Sequence, residues 1–222
     1  MGVAAAGIWW SPITSLRSVR IEGALPSDRN RLEGIAAKLH DIPLIRIDPR
    51  VTESEVLENP EVLHAELNRS LFGTGLLKVT YRRPVARLLG HPNILLDPQG
   101  VLYKANSTPD TIPQIQLPVN GPPTLLTLTS NGQPQTMAKL AQDVLKLPVS
   151  DVIRIQVEPG GVVCLNMGTG RVILGSLDDL DKKLSVLRER LATKPNELNE
   201  VQELNLTAPE SPSFIPKEHR RS

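Results

Sequence analysis

The first third of the chain alternates polar and apolar positions over a short run and then shifts to helical spacing. In residues 16–23, Val19 and Ile21 alternate with charged neighbours, which predicts a half-buried strand. Ser27 is then a candidate N-cap for a helix. That helix has an apolar face with i, i+3, i+4 and i+7 spacing, formed by Leu32, Ile35, Ala36 and Leu39.

A second helix and two strands follow at short intervals. Thr52 and Glu55 have the spacing of a capping box at the start of this helix, and Pro60 ends it. Residues 62–70 and 76–82 are two further alternating runs, each typical of a strand. The pattern therefore predicts the order β-α-α-β-β within about residues 16–83.

In the remaining two thirds of the chain, the pattern predicts a series of strands interrupted by two helices. Residues 94–102 contain an Asp-x-x-Gly turn between two apolar runs, which predicts a hairpin. The other predicted strands are 152–157, 162–166, 171–175, 201–206 and 212–217, and residues 125–130 form a further apolar stretch. Two apolar helix faces are predicted, one from Met137, Leu140, Val144 and Leu145 and the other from Leu180, Leu184, Leu187 and Leu191.

Composition excludes several classes of protein. The chain has 222 residues, 40% of them apolar, and a net charge of +1, which argues against a wholly disordered chain and a strongly basic nucleic-acid binder. Aromatic residues are only 3%, so surfaces on which nucleobases could stack are nearly absent. The single cysteine cannot form an internal disulfide or a multi-cysteine zinc site.

The N-terminal segment 1–15 begins with an apolar run, MGVAAAGIWW. A spanning helix needs about 20 such residues, so this run is too short to cross a bilayer alone. It is either a locally packed terminus or the outer end of a membrane helix, with Trp9 and Trp10 at the interface. The sequence leaves open whether Met1 is the true start.

Candidate chemical groups are scattered and do not form a set. Each fits a structural role: a helix-end or surface pair, strand positions, a small core residue, or the favoured acidic first turn of a helix. These groups are His40 with Asp41, His64, His91, Cys164, and Asp178, Asp179 and Asp181. We therefore predict no catalytic residues, no metal site and no cofactor.

Short sequence segments in and around the first predicted module resemble those of the FtsQ/DivIB bacterial cell-division family. The matching segments are VRIEG at 19–23, LHAELNRSL at 63–71 and LKVTYRRPVARL at 77–88. After the third strand the family has an acidic residue, Arg, any residue and Pro-Val-Ala. This sequence has Tyr81 in place of the acid, so we expect the salt bridge of that acid to be missing.

The resemblance continues through the second module. ILLDPQGVL at 94–102, LPVNG at 117–121 and GRVILGSLDDLDKKLSVLRERL at 170–191 resemble family segments in the same order. Glu203 and Asn205 stand where the family has Asp and Arg. The resemblance implies an α+β fold: a POTRA module at 16–83, then a mixed or antiparallel β-sheet domain with two or more helices at 84–216. Residues 217–222 are expected to be a disordered basic tail.

What the resemblance implies for function is a non-enzymatic scaffold. Members of the family cross the cytoplasmic membrane once, lie mostly outside the cytoplasm at the division septum, and help control septal peptidoglycan synthesis. They bind FtsB/DivIC-like and FtsL-like division proteins, and the POTRA module is a second, weaker candidate surface for other division proteins. We expect no nucleic acid, and contact with the membrane only through an N-terminal helix.

The predicted partner-binding surface is the end of the second module, where a partner strand would pair along residues 213–215. Its residues are Leu206, Ala208, Ser213, Phe214 and Ile215. The alternative for Phe214 is a place in the core. Two other functions remain open: a POTRA-type chaperone or secretion module, and a peptidoglycan-associated enzyme.

Overall fold

The structure, a computed structural model, describes residues 15–70, 73–117, 134–149, 151–168, 170–194, 198 and 201–216. Two compact units divide between Arg82 and Arg83. The described residues contain four α-helices and two mixed sheets, so the α+β class is confirmed. The apolar N-terminal run, most of the 117–121 segment, the apolar stretch at 125–130 and the basic tail lie outside the described residues.

The first unit has the predicted order β-α-α-β-β, with a short 3₁₀ turn at Leu44–Arg46 between the helices. Its elements are β1 (Ser18–Glu22), α1 (Arg29–Ala37), α2 (Pro49–Leu57), β2 (Val62–Arg69) and β3 (Thr74–Tyr81). The sheet order is β1-β3-β2, with β1 parallel and β2 antiparallel to β3. One apolar cluster joins the sheet to the helices and includes Leu16, Leu32, Ile35, Val56, Leu67 and Leu77.

Both helix starts differ from the sequence prediction. Asp28, not Ser27, occupies the N-cap of α1, and its side chain makes no capping hydrogen bond. The second helix begins at Pro49, and the Asp48 side chain accepts the Arg50 N–H. The predicted capping box at Thr52 was therefore wrong. Proline suits a first helical position because it has no N–H to satisfy there, and the N-cap lies four residues earlier than predicted, at Asp48.

Tyr81, which replaces the expected acid, lies in a polar cluster with Asp28 and Arg31. Its hydroxyl donates to Asp28 Oδ2 at 2.7 Å, and Arg31 Nε donates to Asp28 Oδ1 at 2.6 Å. Arg31 also donates to the backbone oxygens of Glu55 and Val56, each at 3.2 Å. The cluster therefore links α1, the C-terminal end of α2 and β3.

The second unit is a nine-stranded sheet with two helices. Its elements are β4 (Ala86–Leu88), β5 (His91–Leu96), β6 (Leu102–Lys104), β7 (Gln114–Gln116), α3 (Pro134–Val144), β8 (Arg154–Val157), β9 (Val163–Met167), β10 (Gly170–Gly175), α4 (Leu180–Thr193), β11 (Val201–Asn205) and β12 (Ser213–Pro216). The order is β12-β11-β10-β9-β8-β7-β4-β5-β6. The pairs β4/β7, β7/β8 and β10/β11 are parallel and the others antiparallel, so the sheet is mixed as predicted.

The predicted apolar helix faces lie in the core of this unit, with one exception. Leu180, Leu184, Leu187 and Leu191 of α4 are all buried, as are Met137, Leu140 and Val144 of α3. Leu145 is 47% exposed, since α3 ends one residue before it.

The predicted hairpin at 94–102 is formed by β5 and β6. Asp97 is fully buried, and its Oδ1 accepts the N–H groups of Gln99 and Val101 at 3.0 and 2.8 Å. Gly100 has a positive φ of 83°, and a Cβ there would lie 2.6 Å from the carbonyl carbon of Pro134. The turn therefore packs closely against the start of α3.

Candidate partner-binding edge

A row of apolar side chains crosses the second sheet and ends at its outer strand. Each residue in the row pairs directly with the next, and directly paired residues project to the same face of a sheet. The row runs Leu88, Ile115, Ile155, Leu165, Val172, Leu204, Phe214. Its first six members are at most 3% exposed, whereas Phe214 is 56% exposed. The alternative prediction that Phe214 packs in the core was therefore wrong.

The neighbouring row on the opposite face is polar until it reaches the same strand. It runs Arg87, Gln114, Arg154, Asn166, Arg171, Glu203, Ile215. Ile215 ends this row and is 53% exposed. The outer strand thus presents one large apolar side chain on each face of the sheet.

Among the other predicted binding residues, Ala208 and Ser213 are exposed and Leu206 is not. Leu206 is 0% exposed and belongs to the core cluster, and its N–H donates to the Ile173 oxygen at 2.8 Å. Its side chain cannot reach a partner, so its place in the predicted surface was wrong. Ala208 lies in the turn before β12, where its oxygen accepts the Ser211 N–H at 3.1 Å.

One side of β12 has no partner strand among the described residues, and all four of its residues are exposed. An edge strand with unpaired N–H and C=O groups is a template for an added strand. Pro212 and Pro216 limit the free pairing segment to Ser213, Phe214 and Ile215, because proline has no N–H to donate. The edge available for pairing is therefore short.

The corresponding edge of the first unit is partly closed. The Leu67 N–H on the open side of β2 donates to Glu53 Oε1 of α2 at 2.9 Å. Two residues further along the same strand, Arg69 donates its guanidinium N–H groups to the oxygens of Leu44 and Ile47. A side chain that occupies an edge amide competes with any strand that pairs there. Sequence reasoning did not identify this feature, because the contact joins positions 14 residues apart.

The far edge of the second sheet, β6, has no exposed large apolar side chain. Tyr103 of β6 is 7% exposed and packs with Leu95, Ala105 and Ile112 in a separate small cluster. Of the two edges of this sheet, β12 is consequently the one that offers exposed large apolar side chains.

Cys164 lies beside Arg171 on the polar face of the sheet. Its side chain is fully buried, and Arg171 Nη2 donates to Sγ at 3.2 Å. Burial raises the pKa of the thiol, and the arginine only partly offsets this. Arg171 also forms an ion pair with Glu158. The thiol is therefore held in its neutral form, unlike a nucleophilic cysteine.

The described residues include no group of three or more His, Cys, Asp or Glu side chains placed to hold a metal ion. His40 Nδ1 lies 2.8 Å from Asp41 Oδ2, and both side chains are exposed. Within the part of the chain that is described, no helix has the length and apolar character required to span a bilayer. Comparison with known protein families finds no match, and no curated protein matches the sequence either.

Proposed function

We propose that the protein is a non-enzymatic scaffold of the bacterial division machinery that binds its partners by strand addition along β12. The observation that carries this proposal is the exposed Phe214 at the end of an otherwise buried row. The partner class comes from the sequence resemblance to the FtsQ/DivIB family. On that basis the partners are FtsB/DivIC-like and FtsL-like proteins, met outside the cytoplasmic membrane at the septum.

An added strand would extend both rows of side chains at once. A partner residue opposite Phe214 would continue the apolar row, and a neighbour opposite Ile215 would cover the second exposed side chain. Backbone hydrogen bonds supply affinity in this mode, and the side chains on alternate faces supply selectivity. A large aromatic residue at the centre of such a contact is a typical hot spot.

A binding assay with matched variants tests the proposal. The full chain is incubated with the extracytoplasmic parts of the FtsB-like and FtsL-like proteins of the same organism. We expect Phe214→Glu to weaken binding at least 30-fold, since removal of a hot spot costs about 2 kcal/mol or more. Leu145→Glu is the matched control, because Leu145 is an exposed apolar residue of the same unit, distant in sequence from β12.

Hydrogen exchange separates strand addition from side-chain contact alone. Partner binding should slow exchange at those β12 amides that are not bonded to β11. Equal binding by Phe214→Glu and the wild type would move the site away from β12. Failure of the folded wild-type chain to bind either partner would overturn the division scaffold and favour a secretion-type module or an enzyme.

A further inference from the structure

Residues 15–17, which precede β1, lie at one end of the first unit. The Leu16 N–H donates to the Ile42 oxygen at 3.0 Å, and the Arg17 N–H donates to the Gly73 oxygen at 2.7 Å. These contacts bring the start of the unit beside the turn before α2 and the link between β2 and β3. We refer to this region as the entry end, comprising residues 15–17, 41–51, 69–70 and 73.

The entry end carries the two most exposed large hydrophobic side chains of the described residues. Ile45, in the 3₁₀ turn, is 61% exposed, and Val51, in the first turn of α2, is 66% exposed. Both stand outside the core cluster of the unit. They add little to folding where they are, and they are free to enter an apolar environment.

The entry end as a whole carries a net positive charge. The entry end contains six charged residues, and all six are exposed. They are Arg17, Arg46, Arg50, Arg69, Asp41 and Asp48. Four arginines and two aspartates leave an excess of two positive charges. Asp48 is also engaged as the N-cap of α2, where its side chain accepts the Arg50 N–H at 3.0 Å.

Arg69 holds the apolar segment in place. Its Nη1 donates to the Leu44 oxygen at 2.7 Å and also to the Ile47 oxygen, on the two sides of Ile45. An open cleft of about 570 Å³ lies here, lined by residues 44–49, Arg69 and Ser70. The segment that carries Ile45 is thus braced rather than loose, and the cleft beside it is large enough for a lipid headgroup.

We propose that the entry end docks on the surface of a bilayer that contains anionic lipids. Ile45 and Val51 would enter the boundary between headgroups and acyl chains, and Arg17 and Arg50 would face lipid phosphates. Two observations select a membrane as the occupant. The charge of the entry end is opposite to that of anionic headgroups. It is also the end joined to residues 1–14, whose sequence is apolar over its first ten residues and contains adjacent tryptophans.

This inference rests on the membrane placement in the proposed function but not on partner binding at β12. It adds a second, peripheral membrane contact made by the folded unit itself. Such a contact would fix the orientation of the first unit on the bilayer.

A fluorescent probe at position 51 tests the docking. Cys164, the single native cysteine, is buried, so a Val51→Cys variant of the full chain can be labelled selectively with a polarity-sensitive dye. Leu63→Cys is the matched control, since Leu63 is exposed and belongs to β2 of the same unit. It lies six residues from Arg69 along that strand, or about 20 Å away.

With vesicles of phosphatidylcholine and phosphatidylglycerol, we expect a blue shift at position 51 and none at position 63. Vesicles of phosphatidylcholine alone should give little shift. An arginine near an anionic surface strengthens binding about five-fold. Arg17→Gln with Arg50→Gln should therefore raise the lipid concentration for a half-maximal shift about 25-fold. Arg29→Gln with Lys78→Gln, which changes the net charge equally, should not.

An unchanged spectrum at position 51 while the chain sediments with vesicles would overturn the docking. So would equal shifts at positions 51 and 63, or no association with anionic vesicles at all. Partner binding in the absence of lipid is measured separately, and a failure there leaves the result of the vesicle experiment unaffected.

Discussion

Leu204 and Phe214 pair directly across β11 and β12, yet Leu204 is 1% exposed and Phe214 is 56% exposed. Both side chains project to the same face of the sheet, on which Leu204 belongs to the core cluster. The core of the second unit therefore ends between these two adjacent strands. A strand added to β12 would place a partner side chain beside Phe214 on the same face, which is why this relationship bears on the proposed function.

Truncating these two residues should have unequal effects on stability. Leu204→Ala should lower the free energy of unfolding by about 2–5 kcal/mol, because it leaves a cavity in the core. Phe214→Ala should lower it by less than about 1 kcal/mol, since most of that ring is already in water. Urea denaturation of the full chain measures both. Equal losses would mean that Phe214 is a core residue, and the binding edge would lose its basis.

The Tyr81–Asp28 hydrogen bond should make stability depend on pH at the alkaline end. Burial, and then the bond to Asp28, raise the pKa of Tyr81 to about 12. In the unfolded chain that pKa is about 10. Since the folded pKa is the higher one, this contribution is complete below about pH 10 and is lost as the pH rises towards 12.

Tyr81→Phe isolates that contribution. Near pH 7 the variant should be less stable than the wild type by about 1–2 kcal/mol, because Asp28 loses a donor. The difference should shrink between about pH 10 and pH 12. Paired unfolding curves at several pH values measure it. A difference that stays constant up to about pH 12 would contradict the hydrogen bond.

The β2 edge should open when Glu53 is truncated. Glu53→Ala removes the acceptor of the Leu67 N–H, so exchange at that amide should accelerate and the free energy of unfolding should fall by about 1 kcal/mol. Glu53→Gln keeps an acceptor oxygen at the same position and should retain most of the protection. If both variants exchange as slowly as the wild type, Glu53 does not close the edge.

The periodic parts of the sequence determined several of the helices and strands and their order in the first unit. The leucines of α4 repeat with helical spacing, and Val19 and Ile21 alternate as in a strand. These periods follow from local backbone geometry, so they can be read without knowing what lies opposite. The order β-α-α-β-β therefore followed from the pattern, whereas the α+β class was an expectation from the family resemblance. Helix starts did not, because Asp48 and Thr52 are both plausible caps and the placement of Pro49 in the first turn decides between them.

The tertiary structure alone decided which residues lie at an edge. Leu206 and Phe214 look equally apolar in the sequence, but Leu206 is beside β10 and buried, whereas Phe214 is on the outermost strand. The order of the strands determines which side chains are exposed to water. In this sheet β10 and β11 are parallel neighbours. Glu53 meets Leu67 for the same kind of reason, since helix packing brings them together. Periodicity determines which face a side chain takes, and only long-range pairing determines whether anything covers that face.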